Sequence, residues 1–318
     1  MLIKKITFPF TAAIASLCLL SCASHHESSG HETAGVIQAE DASYYFRQGP
    51  LSVEIVPDAG GRIGAVQYRG QDVLLADDRT VSFFWGNVFW TSPQRDWGWP
   101  PDPVLDSEPY TVLQQDDALI LTSAVAPGTG YQFVKRYALD ADTSALIIDY
   151  QIHNHSDETR TLAAWEITRV PPSGIALFPT GETEFISGQF SPMHTVTIGD
   201  ITWYEYDHER IESDQKMMTD GAEGWLAYVN DGIALIKEFD DVPAALNVPG
   251  EGEIEIYTNA AKTYLEIEQQ GPLTELAPGE SLSWHVRWHL RALPEGVAAQ
   301  VGDQALVDWI RNQLGATP

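Results

Sequence analysis

The chain has 318 residues, with 45 Asp or Glu against 18 Lys or Arg, and a formal charge of −27 at pH 7. So acidic a balance excludes nucleic acid, whose phosphates demand clustered cations, and it excludes docking on anionic lipid by charge. With 44% hydrophobic residues the chain can bury a sizeable core, as one large all-β domain or two ordinary ones; neutral soluble partners, sugars first among them, stay open.

Met1-Leu-Ile-Lys4-Lys5 is a short positive start, and Ile6 to Leu20 is an apolar run too short for a comfortable membrane span. The order Leu19-Leu20-Ser21-Cys22 resembles the bacterial lipobox, whose cysteine is acylated and becomes the mature N-terminus. Residues 1–21 are thus expected to be a lipoprotein signal peptide and Cys22 the lipidation site. A plain signal cleaved at a nearby small residue is the alternative. Anchoring would be through the N-terminal lipid only, in the bacterial cell envelope, and Ala23 after the cysteine resembles the pattern sorted to the outer membrane. Cys18 and Cys22 are the two cysteines of the chain, so the mature protein has no internal disulfide and packing must stabilise it.

Residues 22–43 are small and polar and read as a flexible tether, with His25, His26 and His31 as solvated linker residues. From residue 44 to 293 strand follows strand. Val53 and Ile55 alternate before the turn Pro57-Asp-Ala-Gly-Gly61, and Ile63 and Val66 lead to Arg69-Gly70. Leu119 and Leu121, then Phe133 to Leu139, keep period two, and Leu146 to Ile152 ends in the polar turn His153–Asp157. Trp225–Val229, Asn230-Asp-Gly232, Ile233–Ile236 is a hairpin signature. In the last strand Leu282, Trp284, Val286, Trp288 and Leu290 face one way. Residues 294–318 carry a helical stripe, Val297, Val301, Ala305, Leu306, Ile310 and Leu314, with Gly315 as the stop. Evenly spaced strands without intervening helices predict an all-β fold, one large antiparallel β-sandwich closed by a short C-terminal helix.

Three segments carry candidate chemistry. Phe83 to Pro101 holds an aromatic run and then a loop in which Pro93, Gly98 and two prolines forbid regular strand. Flat aromatic faces cover the C–H faces of a sugar while planar polar groups take paired hydroxyls, so Gln94, Arg95, Trp97 and Trp99 are candidate ligand contacts. Phe84, Trp85, Phe89 and Trp90 read first as core, with Trp90, at the mouth of the loop, also counted among the contacts. In Leu265–Gln270 alternation puts Glu266, Glu268 and Gln270 on one face. A carboxylate so placed acts as a general base, unless that face is simply solvated. In Leu162–Val170 the residues Trp165, Ile167 and Arg169 share one face and Glu166 and Thr168 the other; Glu166 is either exposed or buried with a raised pKa. Metal ligation has no support in spacing: His285 and His289 are same-face neighbours on a strand. No cofactor is implied.

Pro57–Ile63, Asp72-Val-Leu74, Trp90–Pro101, Ile152–Asp157 and Leu265–Pro272 followed by Leu276-Ala-Pro-Gly-Glu280 recur in this order. Together they resemble the galactose mutarotase-like (aldose 1-epimerase) superfamily, in particular a bacterial subfamily of unassigned function, over roughly residues 52–293. The resemblance implies a supersandwich whose concave sheet binds a sugar. A late glutamate, matching Glu268, takes the anomeric proton, and a histidine protonates the ring oxygen. Arg95 sits where a substrate-binding arginine is often found, and Arg62 and Arg169 join the candidate sugar contacts. The strand that should carry the family's histidine offers Trp165 and Glu166 instead, so Glu166 becomes the candidate acid, unless His153, His155, His194 or His289 reaches in. Three readings follow: a surface-tethered carbohydrate-binding protein interconverting anomers of a sugar or sugar acid, a non-catalytic glycan-binding lipoprotein, and a glycoside hydrolase or lyase with Glu166 and Glu268 flanking the bond.

Overall fold

The structure, a computed structural model, describes residues 35–76 and 83–315. Residues 1–21, expected to be a signal peptide, and Cys22, the expected lipidation site, lie outside the described residues. None of the described helices is long and apolar enough to cross a membrane.

Two large sheets form the molecule. In the first, ten strands follow one another across the sheet: 35–38, 44–48, 51–56, 62–68, 87–92, 160–170, 265–270, 254–258, 215–219 and 191–192. In the second the order is 195–198, 201–205, 175–179, 225–230, 233–239, 281–292, 146–154, 131–139, 118–122 and 111–115. Pairing is antiparallel apart from Ser191–Pro192, which runs parallel to Gln215–Thr219. The fold is thus the all-β sandwich expected from the period-two segments. Gly35–Gln38 is a correction to the tether read over residues 22–43: Val36 and Ile37 pair with Phe46 and Tyr45 and extend the sheet edge.

Alternation decides which side chains meet between the sheets. Leu282, Trp284, Val286, Trp288 and Leu290 are all buried there, as their spacing requires, and each contributes about 1.5–3 kcal/mol by leaving water. Opposite them the first sheet offers Phe89, Ala164, Leu265 and Ile267. Phe89 stacks on Tyr150 of the second sheet with centroids 4.0 Å apart. The turn after Val56 needs glycine: Gly60 has φ +70°, and a Cβ there would meet the Asp106 carbonyl oxygen.

The C-terminal helix is shorter than the stripe over 294–318 suggested, running Gln304–Gln313. Gly296 and Gly302 take positive φ, and Asp303 caps the helix by accepting from the Ala305 N–H at 2.8 Å. Leu306, Val307 and Ile310 pack on the outer face of the second sheet, against Trp203 and Trp225.

Candidate functional site

Five neighbouring strands of the first sheet present their outward side chains to one cavity of about 360 Å³. Register sets the floor: Trp165 stands opposite Trp90, Ile167 opposite Glu268, Arg169 opposite Glu266, and Glu255 opposite Glu268. Each pair lies on one face, so period-two alternation in four separate segments converges on a single polar floor with indole walls. Lys216, from the Gln215–Thr219 strand, completes it.

The charged groups are bonded into a chain. Glu268 Oε2 accepts from Trp165 Nε1 at 2.9 Å and from Lys216 Nζ at 3.4 Å, while Lys216 also meets Glu255 at 2.5 Å. Gln270 Nε2 donates to Glu255 at 2.8 Å and to Glu251 at 3.0 Å. Arg169 Nε donates to Glu266 Oε1 at 2.8 Å. Glu268 Oε1 and both terminal nitrogens of Arg169 are buried without a protein partner. Buried polar groups without partners are expensive, and a site that binds polar ligands is where they are kept.

Burial raises the carboxyls. Glu266 is pushed up to about 7, with Arg169 opposing, and Glu255 to about 8, with Lys216 opposing. Burial also works against the Lys216 ammonium, but Glu255 and Glu268 outweigh it and hold the lysine charged, above its ordinary value. Near neutral pH the floor therefore carries fixed cations and carboxyls that exchange protons.

Aromatic rings form the wall. Phe84 stacks on Tyr264 at 5.3 Å and on Trp99 at 6.1 Å; Trp90 meets Trp99 and Trp165 edge-on, and Phe190 and Tyr257 continue the rim. Trp99 is 54% exposed, a large apolar face open to the cavity mouth. The core reading of Phe84 and Trp90 is corrected in this respect: both line the cavity, because Trp90 alternates onto the outer face and Phe84 precedes the strand. Trp85 and Phe89 are buried.

The sequence candidates divide. Glu268, Arg169, Trp90, Trp99 and Gln94 line the cavity together. Glu166 does not. Alternation turns it inward between the sheets, where it meets Lys237 at 2.8 Å and accepts from Tyr150, Gln269 and Trp288; its reading as the acid is corrected by that position. Arg95 is exposed and donates to the Pro249 carbonyl oxygen at 2.7 Å, outside the cavity lining. Trp97 donates to the Thr91 carbonyl at 2.8 Å and braces the far side of Trp90. Arg62 is buried, bonded to Ala59, Trp85 and Asp106; Asp106 in turn accepts from Trp90 Nε1 at 2.7 Å and fixes that indole from behind. None of His153, His155, His194 and His289 lines the cavity, and His289 pairs with Glu238 on the other sheet. Lys216 and Tyr257 are not legible in the sequence, because a lone lysine or tyrosine in a short strand carries no spacing signal. Among the described residues no cluster of His, Cys, Asp or Glu has the arrangement of a metal site.

A wider opening of about 860 Å³ lies beside the C-terminal helix. Its cation, Arg311, already holds Asp200 and Glu223, so that groove has no unspent donor comparable to Arg169.

The geometry has parallels among solved structures. A TPR-domain containing protein from Parabacteroides distasonis shares 16% identity at TM-score 0.57, over 79% of this chain and 47% of that one, so this chain spans about half its length. A putative aldose 1-epimerase from Escherichia coli shares 14% identity at TM-score 0.53 over 79% of this chain and 99% of that one. A galactose mutarotase-like protein from Lactobacillus casei shares 13% at 0.54, over 81% and 100%. The fold is the galactose mutarotase-like β-sandwich. No curated protein matches the chain in sequence. Residues 45–291 match the profile of a family described as a domain of unknown function.

Proposed function

The chain belongs to that family, DUF4380, and on this premise we propose that the cavity binds a saccharide and exchanges its anomers by acid–base ring opening. The observation that carries the reading is Glu268: one carboxylate oxygen is held by Trp165 and Lys216, while the other is buried and free beside a wall of aromatic rings. A sugar ring lies with its C–H face on Trp99 and Phe84 and its anomeric hydroxyl at Glu268. Glu268 Oε1 takes the hydroxyl proton as the bond from C1 to the ring oxygen breaks. Glu266 is the proton donor to that oxygen: its carboxyl, raised to about 7 by burial, is partly protonated at neutral pH and lies two residues along the same strand face. Closure on the other face of the aldehyde returns both protons. The folds named above support a sugar site; the carboxylate pair supports turnover.

The test is anomer exchange followed by exchange NMR over a panel of reducing sugars, wild type against Glu268→Gln. Acceleration that the variant abolishes while binding persists is expected. Binding without acceleration overturns the enzymatic step. It would leave the second reading, capture without catalysis, which the lack of a histidine among the cavity-lining residues favours. As to place, we propose a lipid anchor at Cys22 in the bacterial envelope; Cys22→Ser should abolish incorporation of labelled palmitate.

A further inference from the structure

We infer that the sugar taken by this cavity is a uronic acid, whose carboxylate is received by Arg169; the inference rests on the saccharide reading above and narrows it. Arg169 is fully buried, and its side chain spends only Nε, on Glu266. The guanidinium stacks over the faces of Phe84 and Trp90, with Cζ 5.3 and 5.7 Å from the ring centroids, which holds its plane and orientation. Both terminal nitrogens stay without a partner, although the residue lines the cavity. A guanidinium is charged at any physiological pH and presents paired donors in a fork that matches a carboxylate. A neutral hydroxyl would satisfy one terminal nitrogen and leave the other without a partner.

The pairing with Glu266 says which carboxylate. In a pyranose uronic acid the carboxyl group is carried by C5, and C5 is bonded to the ring oxygen. The group that protonates the ring oxygen and the group that grips the carboxylate must therefore be neighbours. Glu266 and Arg169 are opposite one another on paired strands and joined at 2.8 Å. Glu268, which serves the anomeric hydroxyl on the other side of the ring oxygen, lies two residues further along. Lys216 does not compete for the anion, since Glu255 and Glu268 already hold it.

Titration calorimetry with glucuronate and galacturonate, their methyl esters, the parent neutral hexoses and glucose 6-phosphate tests the assignment. The free acids should bind at least about tenfold tighter than the methyl esters, the scale of a charge-assisted bidentate pair. Arg169→Gln should erase that preference, bringing acid and ester to equal affinity. The ester comparison uses the wild-type protein, so it decides the matter even if the variant fails to fold. Equal affinity for acid and ester, or a preference for neutral hexoses, overturns the inference and leaves the saccharide reading standing. Tighter binding of glucose 6-phosphate overturns the carboxylate in favour of a phosphate. No binding by any of these sugars overturns both.

Discussion

The indole of Trp165 donates to the carboxylate of Glu268 at 2.9 Å, across the pair of central strands that also sets Arg169 against Glu266. The strand that the family resemblance would furnish with a histidine thus furnishes a donor that orients the glutamate. Trp165→Phe keeps a ring in place and removes the donor that orients the carboxylate, so anomer exchange should slow roughly tenfold, the equivalent of a lost bond of about 1.4 kcal/mol. Exchange NMR reads this directly, and an unchanged rate would contradict the orienting role.

Trp99 and Arg95 are close in sequence and should behave oppositely. Trp99 gives its half-exposed face to the cavity, and Trp99→Ala should weaken saccharide binding about tenfold, at the upper end of what one aromatic contact supplies, with thermal stability little changed. Arg95→Ala, which breaks only a bond to the Pro249 carbonyl, should leave binding unaltered. Equal losses in the two variants would mean that the loop closes over the ligand from the Arg95 side.

Glu166 and Lys237 are a buried ion pair at 2.8 Å with both side chains fully shielded. Burial lowers the Lys237 pKa and Glu166 raises it again, so each group depends on the other. Lys237→Met should cost about 3–5 kcal/mol in chemical denaturation because it strands a buried carboxylate, and adding Glu166→Gln should recover part of the loss. Saccharide affinity of the folded double variant should equal that of the wild type, since the pair faces the interior. A loss of affinity at unchanged stability would restore Glu166 to the site.

Stability should fall as pH rises. Burial pushes Glu253 and Glu255 up to about 8 and Glu266 to about 7. Unfolded glutamates titrate near about 4.3, so between that value and about 8 the folded chain holds more protons than the unfolded one. The stabilisation from these groups is complete below the unfolded value and is lost as pH climbs through the folded ones. Asp200 and Glu223, lowered chiefly by their bonds to Arg311, act the other way and lose their contribution in acid. The unfolding temperature measured by calorimetry should therefore be highest near about pH 5 and decline toward about pH 8. Glu253→Gln should flatten that decline. A midpoint that rises across the same range would show that these carboxyls ionise freely in the fold.

Much of this architecture was legible in the residues. The alternation through Leu282–Leu290 and the Asn230-Asp-Gly232 turn named strands and a hairpin, because strand side chains repeat every second residue and few turns join paired strands. The same alternation already separated Trp165, Ile167 and Arg169 from Glu166, and Glu266 and Glu268 from Ile267. What it left open was which face is the interior. Glu166 went inward because Lys237, Tyr150 and Trp288 come from the other sheet to satisfy it, and Lys237 and Trp288 lie far away in sequence.

By itself the sequence determined the strand periods, the excess of acid, the aromatic loop and the sidedness of each segment, all of which depend on near neighbours along the chain. Tertiary structure alone decided that Lys216, Arg169, Glu266, Glu268 and Trp99 share a cavity, that Glu255 and Glu266 hold protons to higher pH, and that Arg95 and Glu166 stand elsewhere. The reason is register: antiparallel pairing sets residue against residue across gaps of a hundred positions or so, and dielectric and hydrogen bonding at each carboxyl come from those distant partners.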